Sequence, residues 1–222
     1  MGRPRRIAKG NFVYHALNRA NGRLNIFKKP QDFEAFESIL ADGIARYGMR
    51  LCGYCIMSNH WHLVLWPRQD GDLTNFMRWV TVTHTQRWHA AHGTSGIGHL
   101  YQGRFKSFPV QSSWQYLSVM QYVEANPLRA GIVHRPEQWL WSSLAIRCGV
   151  KKDIPLDNGP EHLPENWTQV VQAAKDDTQR ETIQHCIKRG CPYGDKQWND
   201  QTSEILGLQA TQHPRGRPKN DS

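Results

Sequence analysis

With 222 residues, 39% of them hydrophobic and nine Trp, the chain is long enough for one core-forming domain with additions and too apolar to be wholly disordered. No apolar run approaches the roughly 18 residues of a membrane span, mean hydropathy is negative, and the start Met1-Gly-Arg-Pro-Arg-Arg6 lacks the apolar stretch of a secretory signal. A cytoplasmic protein with no membrane partner is therefore expected, and five Cys without a secretory context disfavour a disulfide framework.

Formal net charge is +9, and its distribution says more than its sum. Residues 1–31 hold eight Lys or Arg and no acid, and residues 73–123 again lack any acid while carrying Arg78, Arg87, Arg104 and Lys106 with four His. Such stretches, interleaved with aromatic residues, suit a phosphate backbone and unstacked bases. They equally suit an inert basic surface.

Taken in order, residues 1–10 read as a flexible basic arm carrying Arg3, Arg5, Arg6 and Lys9. Phe12–Ala20, with Arg19 near its end, predicts a strand. Apolar residues at Phe33, Phe36, Ile39, Leu40 and Ile44 predict a helix over Asp32–Tyr47 with one buried face. Leu51–Met57 and Trp61–Trp66 are apolar runs joined by Ser58-Asn59, which reads as a hairpin. Leu73–His92 is a second amphipathic helix closed by Gly93. Gly103–Gln111 predicts a fourth strand, an edge one because Pro109 cannot donate a ladder hydrogen bond. Ser112 with Gln115 has the spacing of a capping box and opens a helix to Asn126, before Pro127. The order βαββαβ predicts an α+β, ferredoxin-like antiparallel sheet with helices on one face. Residues 136–207 read as a Trp-rich extension with helices near Trp167–Ala174 and Arg180–Lys188, and residues 208–222 as a polar, basic tail unable to bury itself.

His60 and His62 are two apart, so on a strand both imidazoles share a face, as ligands of one metal must. An open sheet face can carry the same pattern by accident. Cys52 and Cys55 are three apart, an odd offset that sends them to opposite faces, so core thiols are expected rather than a metal pair. Cys186 and Cys191 lack a second pair at zinc-finger spacing and read the same way. Tyr122 and Asn126 are four apart, which stacks a phenol and an amide on one helix face. A half-buried core Tyr with a wet hydroxyl would look identical.

Taken together, His60-Trp-His62, Gly103-Arg-Phe-Lys-Ser107 and Tyr122-Val-Glu-Ala-Asn-Pro-Leu-Arg-Ala-Gly131 resemble the motifs of the HUH single-tyrosine transposases, and in particular the REP-associated tyrosine transposases, from about Tyr14 to about Leu144. The resemblance implies a tyrosine nuclease domain over residues 11–135, His60 and His62 as ligands of Mg²⁺ or Mn²⁺, Tyr122 as the nucleophile and Asn126 as a third ligand. It implies single-stranded or hairpin DNA as substrate, at short repeated palindromes, and a monomer rather than the tyrosine-exchanging dimer of mobile-element relatives. Attack by Tyr122 would leave a 5′-phosphotyrosine that a second 3′-hydroxyl can reverse without ATP. A hairpin-binding protein that no longer cuts, or a relaxase or replication initiator with the same chemistry, are the alternatives. Arg104 and Lys106 are candidate backbone contacts or solvated edge charges. Arg129 either caps the site or forms a salt bridge. Pro214-Arg215-Gly-Arg217-Pro218, followed by Lys219, has the mechanical logic of a minor-groove hook, as does Gly2-Arg-Pro-Arg5, and either also fits a sticky basic tail.

Overall fold

The computed structural model describes residues 7–151, 154–174 and 176–212. Arg3, Arg5, Arg6, Arg215, Arg217 and Lys219, and with them both Gly-Arg-Pro segments, lie outside the described residues. No helix among those described is long and apolar enough to cross a membrane.

Four strands, β1 (Val13–Arg19), β2 (Arg50–Met57), β3 (His60–Trp66) and β4 (Lys106–Val110), form one antiparallel sheet in the order β2-β3-β1-β4. Helix α1 (Pro30–Tyr47) joins β1 to β2, and α2 (Asp72–Ala91) joins β3 to β4. This is the ferredoxin-like arrangement. Helix α1 starts two residues earlier than its apolar spacing predicts, because the Asp32 carboxylate accepts the backbone N–H groups of Lys28 and Lys29 at 2.9 and 3.1 Å and Pro30 has no N–H to satisfy. Gly48, at φ 60°, ends it in the left-handed conformation a helix stop requires.

Helices α1 and α2 pack over the face lined by Tyr14, Ala16, Tyr54, Trp61 and Leu63, as the βαββαβ pattern predicts. The opposite face is also closed. Val13, Cys55, Val64 and Phe108 lie there under α3 (Trp114–Glu124), with Trp167 and Val171 of α6 (Trp167–Gln172) and Ile183 of α7 (Asp177–Arg189) around it. A sheet apolar on both faces has to be covered on both.

Three local expectations need correction. Arg104 lies before β4 rather than on it, since the strand begins only at Lys106. Ser112 does not cap α3: Ser113 precedes the helix and makes no capping bond to its backbone, its hydroxyl instead meeting the Gln115 side chain. Cys52 and Cys55 share a face, because the pairing of β2 with β3 shifts between Leu51 and Gly53. The extra residue of this bulge restores the phase that an odd offset loses. Among the described residues neither thiol belongs to a metal-like group of ligands; both are core residues.

Residues 136–207 share both cores instead of trailing from them. Ile154 and Leu206 join the α1/α2 side, and Leu144 of α5 (Ser143–Arg147), Cys186, Cys191 and Tyr193 the other. They also cover the sheet edges. Along β2, Ile56 N–H donates to Trp141 O at 2.9 Å and Asp157 N–H to Leu51 O at 2.8 Å; along β4, Tyr193 N–H donates to Pro109 O at 2.9 Å and Gln111 N–H to Tyr193 O at 3.0 Å. An edge with its backbone groups paired cannot recruit another chain. Helix α8 (Lys196–Leu206), which the apolar pattern did not announce, is capped by the Asp195 carboxylate accepting from Trp198 N–H at 2.9 Å. The chain past Gly207 does not leave the body at once: a short helix α9 (Gln209–Gln212) is held by Arg189, which donates to the carbonyls of Thr211 and Ala210 at 3.1 and 3.2 Å.

Candidate active site

The strand periodicity of two turns the His60 and His62 rings toward α3, and the β1/β3 register sets Leu17 opposite His62 and Arg19 opposite His60. Helix α3 lies across this face, which brings the Tyr122 and His62 rings to 5.8 Å, centroid to centroid, nearly perpendicular to one another. His60 and His62 are themselves 5.1 Å apart and nearly perpendicular. Both line a cavity of about 660 Å³ together with Leu17, Arg19, Tyr122 and Asn126. The four residues singled out by their spacing therefore meet at one place.

Each of these groups is fixed by a particular bond. His60 Nδ1 pairs with Asn59 Oδ1 at 2.6 Å, and His62 Nδ1 with His15 Nε2 at 2.9 Å. Asn126 opens the short helix α4 (Asn126–Arg129), where its Nδ2 donates to the carbonyls of Tyr122 and Val123 at 3.0 and 3.2 Å. Among the described residues the Nε2 atoms of His60 and His62 and Oδ1 of Asn126 make no hydrogen bond. No three His, Cys, Asp or Glu side chains of the described residues form a metal cluster. Two uncommitted imidazole nitrogens and an amide oxygen fit a divalent cation and add no negative charge to it.

Electrostatics favour the neutral ring. Burial lowers the His60 pKa to about 4, helped by Arg19, and lowers that of His62 well below its ordinary value, with His15, His60 and the guanidinium groups of Arg129 and Arg19 adding to the effect. Neutral imidazole is the form that ligates. Burial raises the pKa of Tyr122, which is 8% exposed, while Arg129, Arg19, Arg180 and the Gln184 amide pull it down. Among the described residues Arg129 makes no ion pair: its guanidinium lies over the Tyr122 ring at 4.6 Å and donates to the Tyr122 carbonyl in the last turn of α3.

Arg19, Arg104 and Lys106 all line the cavity, the last two exposed. Lys9 does not; it pairs with Asp70 at 2.9 Å. Several residues in or behind the cavity wall escaped the sequence reading. His15 lies behind His62, and Gln184, Ile187, Lys188, Arg189 and Gly190 form a wall at the end of α7. The basic pair Lys188-Arg189 before a helix-stopping Gly190 was the only local signal for the latter.

The fold thus brings a histidine pair and a helix-borne tyrosine into one cavity of a basic α/β protein, and comparison with known families supplies its class. Residues 8–126, more than half of the chain, match the IS200-like transposase family, and the chain belongs to that family. No curated protein matches it. Among solved structures it resembles a REP-associated tyrosine transposase bound to a REP hairpin, with a TM-score of 0.54 and 19% identity over 71% of this chain and 90% of the other. That similarity is one of fold. A putative transposase from Deinococcus radiodurans R1 follows at a TM-score of 0.39 and 20% identity over 56% of this chain and 96% of the other. A tRNA(His) guanylyltransferase from Saccharomyces cerevisiae has a TM-score of 0.44 and 10% identity over 87% of this chain and 84% of the other.

Proposed function

We propose that this transposase cleaves and rejoins single-stranded DNA through a covalent tyrosine intermediate, at short palindromic hairpins of the REP type. The observation that carries the reading is the convergence of Tyr122, His60, His62 and Asn126 on one cavity within a single chain. A site assembled in one chain also supports a working monomer.

Tyr122 Oη attacks the phosphorus, giving up its proton as the O–P bond forms, and the bond to the 3′-oxygen breaks, releasing a 3′-hydroxyl and leaving a 5′-phosphotyrosine ester. Bound at His60, His62 and Asn126, Mg²⁺ or Mn²⁺ would act as a Lewis acid on the phosphodiester. Arg129 holds the phenol ring and favours its deprotonated form, opposing in part the burial that raises its pKa. Arg19, Arg104, Lys106 and, from α7, Lys188 and Arg189 supply positive charge around the cavity for the strand's phosphates. A 3′-hydroxyl from another strand then attacks the same phosphorus and returns the proton to Tyr122. The ester conserves the bond energy, so no nucleotide cofactor is required.

Incubation with labelled hairpin DNA and Mn²⁺, followed by denaturing electrophoresis, tests this. A covalent protein–DNA band is expected from the parent chain and none from Tyr122→Phe; an adduct that survives Tyr122→Phe removes the tyrosine from the chemistry. The near-complete burial of Tyr122 favours a second reading, a hairpin-binding protein that does not cut. Hairpin retention on a native gel with no adduct under any divalent cation would select it.

A further inference from the structure

We propose that His15 is a positioning residue: it accepts the Nδ1 hydrogen of His62 and so leaves His62 Nε2 as a bare lone pair for the cation. This rests on the metal reading of His60 and His62 given above.

The neighbouring histidine shows the principle. A neutral imidazole has one N–H and one lone pair, and the partner of one nitrogen decides the role of the other. Asn59 Nδ2 donates to Arg23 O at 3.3 Å, which turns its Oδ1 toward His60 Nδ1. An amide oxygen can only accept, so His60 carries its hydrogen on Nδ1 and keeps Nε2 open. His62 has no amide beside it. Its Nδ1 meets His15 Nε2 at 2.9 Å, the two rings stacked at 5.1 Å.

His15 is placed to be a support and not a ligand. It sits on β1 opposite Val64, one diagonal step from His62, and Phe108 closes it in from β4 at 5.0 Å. It is fully buried and is absent from the residues lining the cavity. Among the described residues its Nδ1 is buried with no partner, so Nε2 makes its one side-chain hydrogen bond; the Tyr122 ring meets it edge-on at 6.3 Å. Two neutral imidazoles joined in this way hold one hydrogen between them and a second on the outer nitrogen of the accepting ring. With the first on His62 Nδ1 the second sits on His15 Nδ1, an N–H whose burial costs less than leaving the cation without its ligand; with the first on His15 Nε2 the second occupies His62 Nε2. Only the arrangement with the hydrogen on His62 Nδ1 frees His62 Nε2 to ligate. Without an acceptor at position 15, that arrangement strands a buried N–H, and His62 either pays that desolvation cost or turns its other tautomer toward the cavity.

Direct Mn²⁺ titration by electron paramagnetic resonance, without DNA, reads the effect. Outer-shell partners of metal-bound His are typically worth about 10- to 100-fold in affinity, and a loss of that size is expected for His15→Leu. His15→Gln keeps an acceptor near the same place and should stay within about threefold of the parent. Leucine-variant affinity equal to that of the parent, or a folded His15→Gln as weak as His15→Leu, overturns the proposal. Should His15→Leu fail to fold, ¹⁵N NMR of the Mg²⁺-saturated parent remains: the His62 hydrogen is expected on Nδ1, and finding it on Nε2 is equally fatal. A parent that binds Mn²⁺ and loses it in His60→Ala establishes the metal site independently of His15. If the parent binds none, both readings fall together.

Discussion

His84, on α2, shows what folding demands of a single histidine away from the site. It stacks on Phe27 at 5.3 Å, and its Nδ1 pairs with the Tyr101 hydroxyl at 2.5 Å. Burial lowers its pKa to about 3, with Asp32 pulling it up and His92 pulling it down. The unfolded chain takes a proton on this ring below its ordinary pKa of about 6.5, while the folded chain does not until about pH 3. Stability is therefore complete above pH 6.5 and falls as pH drops through that window, by about 3 kcal/mol at pH 4.5. Urea unfolding at pH 7.5 and pH 4.5 should show the fall, and His84→Gln should shrink it; unchanged midpoints in the parent would rule it out. The histidines of the site differ in how visible they are. His60 and His62 are legible because a strand repeats every two residues. His15 lies 47 positions from His62 and meets it only through the β1/β3 register, which no local pattern encodes.

Helix α3 carries Tyr122, the nucleophile we propose, and one buried carboxylate anchors its end. Glu124 is fully buried; it accepts from Trp167 Nε1 at 2.6 Å, from Arg147 Nε at 3.4 Å and from the Ser143 hydroxyl, which in turn accepts from Tyr54 N–H at 2.9 Å. Burial raises its pKa while Arg147, Ser143 and Trp167 oppose the rise. Removing one member of such a network leaves the others desolvated and unpaired. Glu124→Ala should therefore cost about 3 kcal/mol in denaturant unfolding, with Glu124→Gln costing less because it still accepts; a neutral Glu124→Ala would show that the anchor is unnecessary. All three donors lie beyond residue 126, where the family match ends. The helix itself is legible from its apolar spacing, but its end is not: α3 stops at Glu124 and Asn126 begins a new turn, since Pro127 fits a first turn better than the interior of a longer helix.

For the whole molecule, the sequence carried the strand and helix order, and with it the sheet, because each element's period is written locally. The role of residues 136–207 was hidden. Pairing Trp141 and Asp157 with one sheet edge and Tyr193 with the other depends on distant partners, and their Trp-rich, weakly periodic composition reads as loop. The bulge in β2 was equally hidden, since a shifted pairing leaves no mark in apolar alternation this short. It also gives the molecule a built-in clock. Cys52 and Cys55 lie in one core cluster beneath the helix bearing Tyr122, their thiols held un-ionised by burial, which pushes Cys52 up to about 12 and also raises Cys55, whereas Cys148 is exposed. An alkylating reagent should mark Cys148 at once and reach Cys52 and Cys55 only when the sheet is uncovered. Mass-spectrometric timing of Cys52 and Cys55, with and without hairpin DNA, would then count how often this helix lifts; labelling of Cys52 and Cys55 as fast as Cys148 would show that it is never firmly seated.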